Sequence, residues 1–163
     1  MGAYSFLDIS ASLSGPTGSL DLGAGSANSE EGITVTMTEA KNTMTIGSDG
    51  EVMHSLHGGN SGVITVTLLK TSPLNKKLSI MYNAQRMSSA LWGNNVIVVR
   101  NRVSGDIGTA RSCAFQKQPD WNNPKVAGTV AWVFDCGKID EVLGVLIHLK
   151  YEKNREDIGL FGI

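Results

Sequence analysis

The sequence is poor in the residue types that mark several whole classes of protein. It holds two cysteines and four prolines among 163 residues, and aromatic residues make up 6% of the chain. A small disulfide-stapled domain has far more cysteine, so that class is excluded. No apolar run approaches the ~20 residues of a membrane span, and the opening MGAYSFLDIS lacks the basic start and apolar core of a signal peptide. We expect a protein made in a cytoplasm, with no membrane span.

An excess of either charge is also missing. The chain has 14 Lys and Arg residues against 15 Asp and Glu residues, for a net charge of -1. A protein that grips nucleic acid does so through a basic surface, so this class is disfavoured. A protein that only surrounds nucleic acid is not excluded. The hydrophobic fraction of 41% and the length predict a single globular domain over residues 1–163.

Arranged catalytic or metal-binding motifs are missing as well. His54 and His57 form an H-x-x-H pair, but zinc needs three or four ligands and no Cys or His cluster completes this one. The segment GAGSAN, residues 23–28, has no helix and no lysine after it, unlike a phosphate-binding loop. No G-x-S-x-G element is present. We therefore expect no enzyme, no metal and no cofactor.

The cysteines and tryptophans have mainly structural interpretations. Cys113 and Cys136 both fall within predicted strands, which favours two buried free thiols, with a disulfide as the alternative. Trp132 belongs to the core by its alternation. Trp121 lies in a polar loop and is the candidate for an exposed ring. Because an exposed ring can stack on a sugar, a carbohydrate- or receptor-binding β-sandwich stays open as an alternative function.

What the sequence does contain is strand alternation. Residues 95–103 form a continuous apolar run, which predicts a strand covered on both faces, and residues 107–117 and 143–151 predict further strands. Short alternating segments predict strands with one inward face. Ile33, Val35 and Met37 are the inward residues of one such strand, and a second alternation follows at Met44 and Ile46. The residues that share one face in the other segments are Leu7, Ile9, Ala11 and Leu13; Ile64, Val66 and Leu68; and Val130, Trp132, Phe134 and Cys136.

One segment changes to helical spacing. Ser72 is the predicted N-cap, Pro73 stands in the first turn, and Gly93 is the predicted stop. The residues at helical spacing are Leu74, Leu78, Met81, Tyr82 and Gln85. Many strands and one helix predict a mainly β fold, a β-sandwich or a partly closed barrel with the helix across one opening.

Two long polar segments interrupt this pattern, residues 23–32 and residues 42–62. The second is rich in glycine and contains the turn signal SDG at 48–50. It is longer than most connections between strands, which suggests a function of its own. Acidic residues gather in and beside these segments: Asp21, Glu30, Glu31, Glu39, Asp49 and Glu51. Composition alone favours ordinary solvated loops, and the alternative is a negative surface past which a polyanion should slide.

Several stretches resemble a known family. EEGITVTM, KNTMTIGSDGEVMHSLHGGNSGVITVTLLKTSPLNKKL, MYNAQRMSSALWGNNVI and GTVAWVFDCGKIDEVLG are similar to phage structural proteins that resemble the tail tube proteins of contractile-tailed phages. The likeness covers most of residues 1–145 and is most specific over 40–93. It implies a virion tail subunit with a β-sandwich or barrel and one helix. It also implies hexameric rings stacked into a hollow tube with a negative lumen that conducts DNA.

The same resemblance assigns roles to residues and partners. Residues 42–62 become an arm that reaches neighbouring subunits, and its apolar residues bury on assembly: Met44, Ile46, Val52, Met53 and Leu56. The six acidic residues above become lumen candidates. Implied partners are other copies of the chain, the tail sheath, the tape measure and the baseplate or terminator proteins. The packing of residues 145–163 stays open, and a tube that injects protein rather than DNA is the nearest alternative.

Overall fold

Seven strands form one curled antiparallel sheet that closes about half of a barrel. The computed structural model describes residues 5, 8–24, 32–126 and 128–144. Within these residues the elements are β1 Ile9–Gly15, β2 Gly18–Ala24, β3 Ile33–Met37, β4 Asn42–Ile46, β5 Val52–Leu56, β6 Gly62–Leu69, α1 Leu74–Gln85, β7 Asn95–Asn101, β8 Ile107–Phe115 and β9 Thr129–Val142. The large sheet has the order β2-β1-β7-β8-β9-β6-β3, and β4 pairs with β5 alone. The prediction of a mainly β, partly closed barrel with one helix is confirmed.

The core lies on the inner face of the curl, under α1. Strand β6 alternates as predicted, because Ile64, Val66 and Leu68 are at most 2% exposed while their neighbours are half-buried. Strand β9 contributes Trp132, Phe134 and Cys136 in the same way. The helix faces this core with its buried residues, as the helical spacing predicted: Leu74, Leu78, Met81 and Gln85. Hydrophobic burial on both sides of this contact is what holds helix and sheet together.

Aromatic rings connect the helix to the sheet. Tyr82 meets Phe115 edge-on with ring centroids 5.6 Å apart, and meets Trp92 in the same manner at 5.9 Å. Phe115 in turn packs against Trp132 and Phe134. Such edge-to-face pairs add about 0.5–1.5 kcal/mol each beyond the burial of their area. These rings join α1 to β8 and, through Phe115, to β9 in the middle of the sheet.

The helix begins and ends elsewhere than the sequence predicts. Its N-cap is Pro73 rather than Ser72. The Ser72 hydroxyl, one residue before the N-cap, still accepts a hydrogen bond from the N–H of Leu74 in the first turn at 3.3 Å. The helix ends at Gln85, not near Gly93, so that predicted stop is wrong. The Ser88 hydroxyl accepts the N–H of Ala90 at 3.2 Å, a local bond that competes with helical pairing.

A buried amide pair fixes the end of the helix. Gln85 Nε2 donates to Asn95 Oδ1 at 2.7 Å, and Asn95 Nδ2 donates back to Gln85 Oε1 at 2.8 Å. Gln85 Nε2 also donates to Thr17 Oγ1 in the turn between β1 and β2 at 3.1 Å. A Cβ on Gly15 would overlap Asn95 Oδ1, so glycine is required there. One small polar cluster thus joins the helix, β7 and the first hairpin.

An irregularity in β8 interrupts the alternation of its inward residues. Ser112 has φ 53, and the pairing of β8 with β7 shifts by one residue beside it. Gly137 lies against Ser112 on the neighbouring strand. As a result Ala110 and Cys113 of β8, three positions apart, both face the core, and so do their β9 partners Ile139 and Cys136, on either side of Gly137. Such a bulge bends the strand and adds twist, which helps the sheet to curl.

Several strand expectations are corrected. Strand β7 ends at Asn101, and its second face is not covered, because Val96 is 36% exposed. Met37 is 39% exposed rather than inward, although Ile33 and Val35 pack on the core. No strand begins at Leu143, since β9 ends at Val142. Leu7 and the rest of the predicted strand 143–151, from residue 145 on, lie outside the described residues.

Candidate assembly surface

The polar segment 42–62 contains a β-hairpin that stands away from the core. Strands β4 and β5 pair in register from Asn42 with Leu56 to Ile46 with Val52. We call residues 42–56 the arm. Every residue of β4 is exposed, and β5 is exposed except for one half-buried position. An isolated two-stranded hairpin is only marginally stable in water, so the arm is suited to burial against a partner.

The tip of the arm is a tight turn, as the SDG signal predicted. The Gly47 N–H donates to the Glu51 carbonyl at 2.7 Å, and the Gly50 N–H donates to the Gly47 carbonyl at 2.9 Å. Gly50 has φ 88, a conformation that favours glycine. The Asp49 carboxylate accepts the Glu51 N–H at 3.1 Å. The tip is therefore well ordered by local bonds and presents two carboxylates to solvent.

The root of the arm is fastened to the sheet. Lys41 Nζ donates to the Gly59 carbonyl at 2.9 Å and to Asn60 Oδ1 at 2.7 Å. The His57 N–H donates to the Lys41 carbonyl at 2.9 Å. Gly62 packs so closely on β3 that an added Cβ would lie 2.6 Å from the Thr36 carbonyl oxygen. The arm is thus a defined projection from the β3–β6 edge of the sheet.

Strand pairing sorts the predicted arm residues onto two faces. Because side chains of directly paired residues lie on the same face of a hairpin, Met44, Ile46, Val52 and Leu56 share one face, which we call the apolar arm face. Met53 lies on the other face, opposite Thr45. The five side chains are between 53% and 84% exposed. The sequence named these residues but did not show that four of them form one surface.

His54 in the arm and His57 at its root point to opposite faces of the hairpin. His54 Nδ1 lies 3.1 Å from Asn42 Nδ2 on the apolar arm face, and His57 Nε2 lies 2.6 Å from Thr43 Oγ1 on the other. The arrangement does not bring both rings to one metal. Among the described residues, no group of three His, Cys, Asp or Glu side chains could hold a metal ion.

The candidate lumen acids do not form one patch within a subunit. Asp21 lies on β2, at one edge of the sheet, opposite Ser12. Glu39 lies at the root of the arm beside Gly59, while Asp49 and Glu51 lie at its tip. Glu30 and Glu31 lie outside the described residues.

The large sheet ends in two strands that pair on one side only within the described part of the chain. These are β2, paired with β1, and β3, paired with β6. An open strand edge presents N–H and C=O groups that can pair with another chain. The described subunit thus offers two edges and one apolar arm face for contacts with further copies.

Cys113 and Cys136 are free and buried, as expected. Their sulfur atoms lie 3.0 Å apart across β8 and β9. The hydrogen bond with Cys113, with burial, raises the pKa of Cys136 well above its ordinary value. The same hydrogen bond lowers the pKa of Cys113, so the two thiols are shifted in opposite directions, and both side chains lie in the core. Trp121 is 88% exposed, which confirms its expected exposure.

Comparison with known proteins decides the family. The family described as "Bacteriophage PhiTE tail tube protein" matches residues 1–144. The chain belongs to this tail tube family. Its role is therefore structural, as a component of a phage tail tube, and the family places it in the virion tail. No helix in the described part of this tail tube protein is long and apolar enough to cross a membrane.

Solved structures support the fold of this tail tube protein. It resembles the anti-feeding prophage tube-terminating cap at a TM-score of 0.52 and 6% identity, with 88% of this chain and 93% of that chain covered. A chain of an extracellular contractile injection system sheath–tube complex aligns at 0.47 and 7% identity, covering 82% and 88%. A chain of the anti-feeding prophage baseplate aligns at 0.46 and 15% identity, covering 90% and 99%. The first likeness shows a shared fold, and the two lower scores carry no further argument. No curated protein matches the chain.

Proposed function

We propose that six copies of this tail tube protein close into a ring and that rings stack into a hollow tube for DNA ejection through a contractile tail. The observation that carries the proposal is the combination of two sheet edges left open by the described strands with an exposed apolar arm face. A monomer with both features is prone to aggregate, whereas a ring buries them. The whole chain, residues 1–163, acts as one domain in this proposal.

Ring closure follows from strand addition. The β2 edge of one copy pairs with the β3 edge of the next, which extends the sheet by main-chain hydrogen bonds. Such a head-to-tail contact is heterologous, so it generates a closed ring when the rotation between copies fits. The number six comes from the likeness to the tail tube proteins of contractile-tailed phages.

Stacking uses the arm. A full ring has different upper and lower surfaces, so rings can add without limit in one direction. The arm projects from the β3–β6 edge and is fastened there by Lys41. Burying one large apolar side chain on it contributes about 1.5–3 kcal/mol, and the apolar arm face offers four. The arm therefore supplies the contact between copies that the sheet edges do not.

DNA passage needs a lumen that does not retain a polyanion. Asp21, Glu30 and Glu31 are the lumen candidates whose sequence positions fall before the arm and its root, and Asp21 is exposed on the sheet. Carboxylates repel the phosphates and release no counterions, so DNA gains nothing by binding. The sheath, tape measure and baseplate or terminator proteins would contact the outside, interior and ends of such a tube.

Electron microscopy of the purified protein at rising concentration tests the proposal. We expect hollow tubes or closed rings of uniform width. Replacing residues 43–55 by a short Gly-Ser linker should abolish tubes while circular dichroism shows a folded subunit, because the root bonds of the arm remain. The control is Trp121→Ser, which removes an exposed ring outside the arm and should assemble normally. Tubes that persist without the arm would contradict its role, and a protein that stays monomeric at all concentrations would contradict polymerisation.

A further inference from the structure

The outer face of α1 differs from the rest of the surface in charge and in apolar exposure. Residues 52–105 contain no Asp or Glu. The basic residues of this stretch are Lys70, Lys76, Lys77, Arg86, Arg100 and Arg102. Three of them, Lys76, Lys77 and Arg86, are exposed on or directly after α1. Beside them Ile80 is 60% exposed and Met87 is 82% exposed. We call these five residues the basic helix face.

The arm carries the opposite charge next to apolar side chains. Asp49 and Glu51 lie at its tip, directly beyond the paired residues Ile46 and Val52. Neither the apolar arm face nor the basic helix face is covered by the described part of the subunit, since the large apolar side chains on both are at least 53% exposed. A surface that is both apolar and uncovered marks an interaction site. The arm is acidic and the helix face is basic, so the two surfaces are complementary in charge.

The two surfaces also agree in length. The five residues of β4 span about 14 Å at 3.4 Å per residue. From Lys76 to Arg86 the helix rises about 15 Å at 1.5 Å per residue. The arm can therefore lie along the whole helix, with its carboxylates near one end and its apolar face over Ile80.

The described surface also has an apolar cavity that could bind the arm in place of the helix. A cavity of about 290 Å³ at the open end of the half-barrel is lined by apolar side chains, among them Ile9, Ile33 and Val99. Its lining also includes Asp106 and Glu141. Carboxylates at this cavity would repel the carboxylates at the arm tip, and like charges brought together across an interface are unfavourable. Charge therefore selects the basic helix face over this cavity.

We propose that the arm of one copy docks on the basic helix face of another copy, with Asp49 and Glu51 paired to its lysines. The inference rests on the proposed assembly into a tube and adds the receptor for the arm. Apolar contact supplies the affinity, and the complementary charges supply specificity for this face. Exposed charge pairs contribute little singly, but reversed charges at a docked interface repel.

Charge reversal and rescue test the pairing. The arm variant is Asp49→Asn with Glu51→Lys, in which Asn keeps the acceptor for the turn. The helix variant is Lys76→Glu with Lys77→Glu. Each should raise the critical concentration for tube formation by about tenfold or more. The two combined in one chain should return it to within about threefold of the unaltered protein, because opposite charges face each other again.

The matched control is Lys117→Glu with Lys125→Glu, two exposed lysines in the loop before β9 that change the net charge by the same amount as the helix variant. This control should assemble like the unaltered protein. A helix variant that also assembles normally, or a combination no better than either variant alone, would overturn the inference. If the arm deletion abolishes tubes while these charge changes do not, the proposed role of the arm in tube assembly is supported, and the arm binds a surface other than the basic helix face.

Cross-linking gives a second test that does not depend on charge. Tubes assembled from a mixture of Glu51→Cys protein and Lys77→Cys protein are treated with a mild thiol oxidant, which takes up the two electrons lost when the disulfide forms. We expect covalent dimers on a denaturing gel from the mixture and few from either protein alone. Dimers at equal yield in all three samples, or in none, would place the arm tip away from α1.

Discussion

The half-barrel and the arm are built from the same kind of strand but bury their side chains differently. In β6 every second side chain is buried, while in β4 none is. Both segments alternate apolar and polar residues, so the local pattern does not separate them. What separates them is whether another element lies against the apolar face. The half-barrel is therefore stabilised by burial within one subunit, whereas the apolar area of the arm is available for burial against a partner.

Two leucines test this difference most strongly. Leu68 in β6 is 0% exposed and Leu56 in β5 is 84% exposed. Leu68→Ala should lower the free energy of unfolding by about 2–5 kcal/mol, because it removes buried methyl groups and leaves a cavity. Leu56→Ala should change it by less than about 0.5 kcal/mol. Urea unfolding of the unassembled subunit, at a concentration below tube formation, measures both. A cost for Leu56→Ala close to that of Leu68→Ala would mean that the arm is part of the folded core.

The buried amide pair of Gln85 and Asn95 tests how polar contacts stabilise the half-barrel. Gln85→Leu removes both bonds to Asn95, whose side chain is fully buried, and should cost about 1–3 kcal/mol of unfolding free energy. Replacing both residues by leucine should cost less than the sum of the single changes, because no buried polar group is then left unpaired. Urea unfolding of the two single variants and the double variant measures this. Simple additivity would show that the pair does not act as a unit.

The sequence predicts most features that depend only on residues a few positions apart in the chain. The inward residues of β6 and β9 and the buried residues of α1 follow from spacing alone, and the SDG turn marks the arm tip. These features depend on neighbours a few positions away, which is where periodicity and turn chemistry act. The five arm residues could be named for the same reason, since apolar residues in a polar segment are visible in the sequence.

The features that the sequence misses depend on contacts between distant segments. The pairing of β1 with β7, or of β3 with β6, is not encoded in the spacing of either strand. The bulge at Ser112 changes the inward parity of β8, although neither proline nor glycine stands at that position. The helix ends at Gln85, whose side chain is paired with Asn95 ten residues later. The face of each arm residue follows only from the register of β4 against β5.

The smallest effect concerns two methionines on opposite faces of the arm. Met44 is 54% exposed on the apolar arm face, and Met53 is 60% exposed on the other. Met44→Ser should raise the critical concentration for tubes by about tenfold, since a partly buried Met contributes on the order of 1.4 kcal/mol. Met53→Ser should raise it by less than about threefold, and neither should alter the unfolding of the subunit. Light scattering at a series of protein concentrations measures this. Equal effects would mean that a partner encloses both faces, as strand addition to the edge of the arm would do. Because the two residues match in type and in exposure, any difference between them reports which face the neighbouring copy covers.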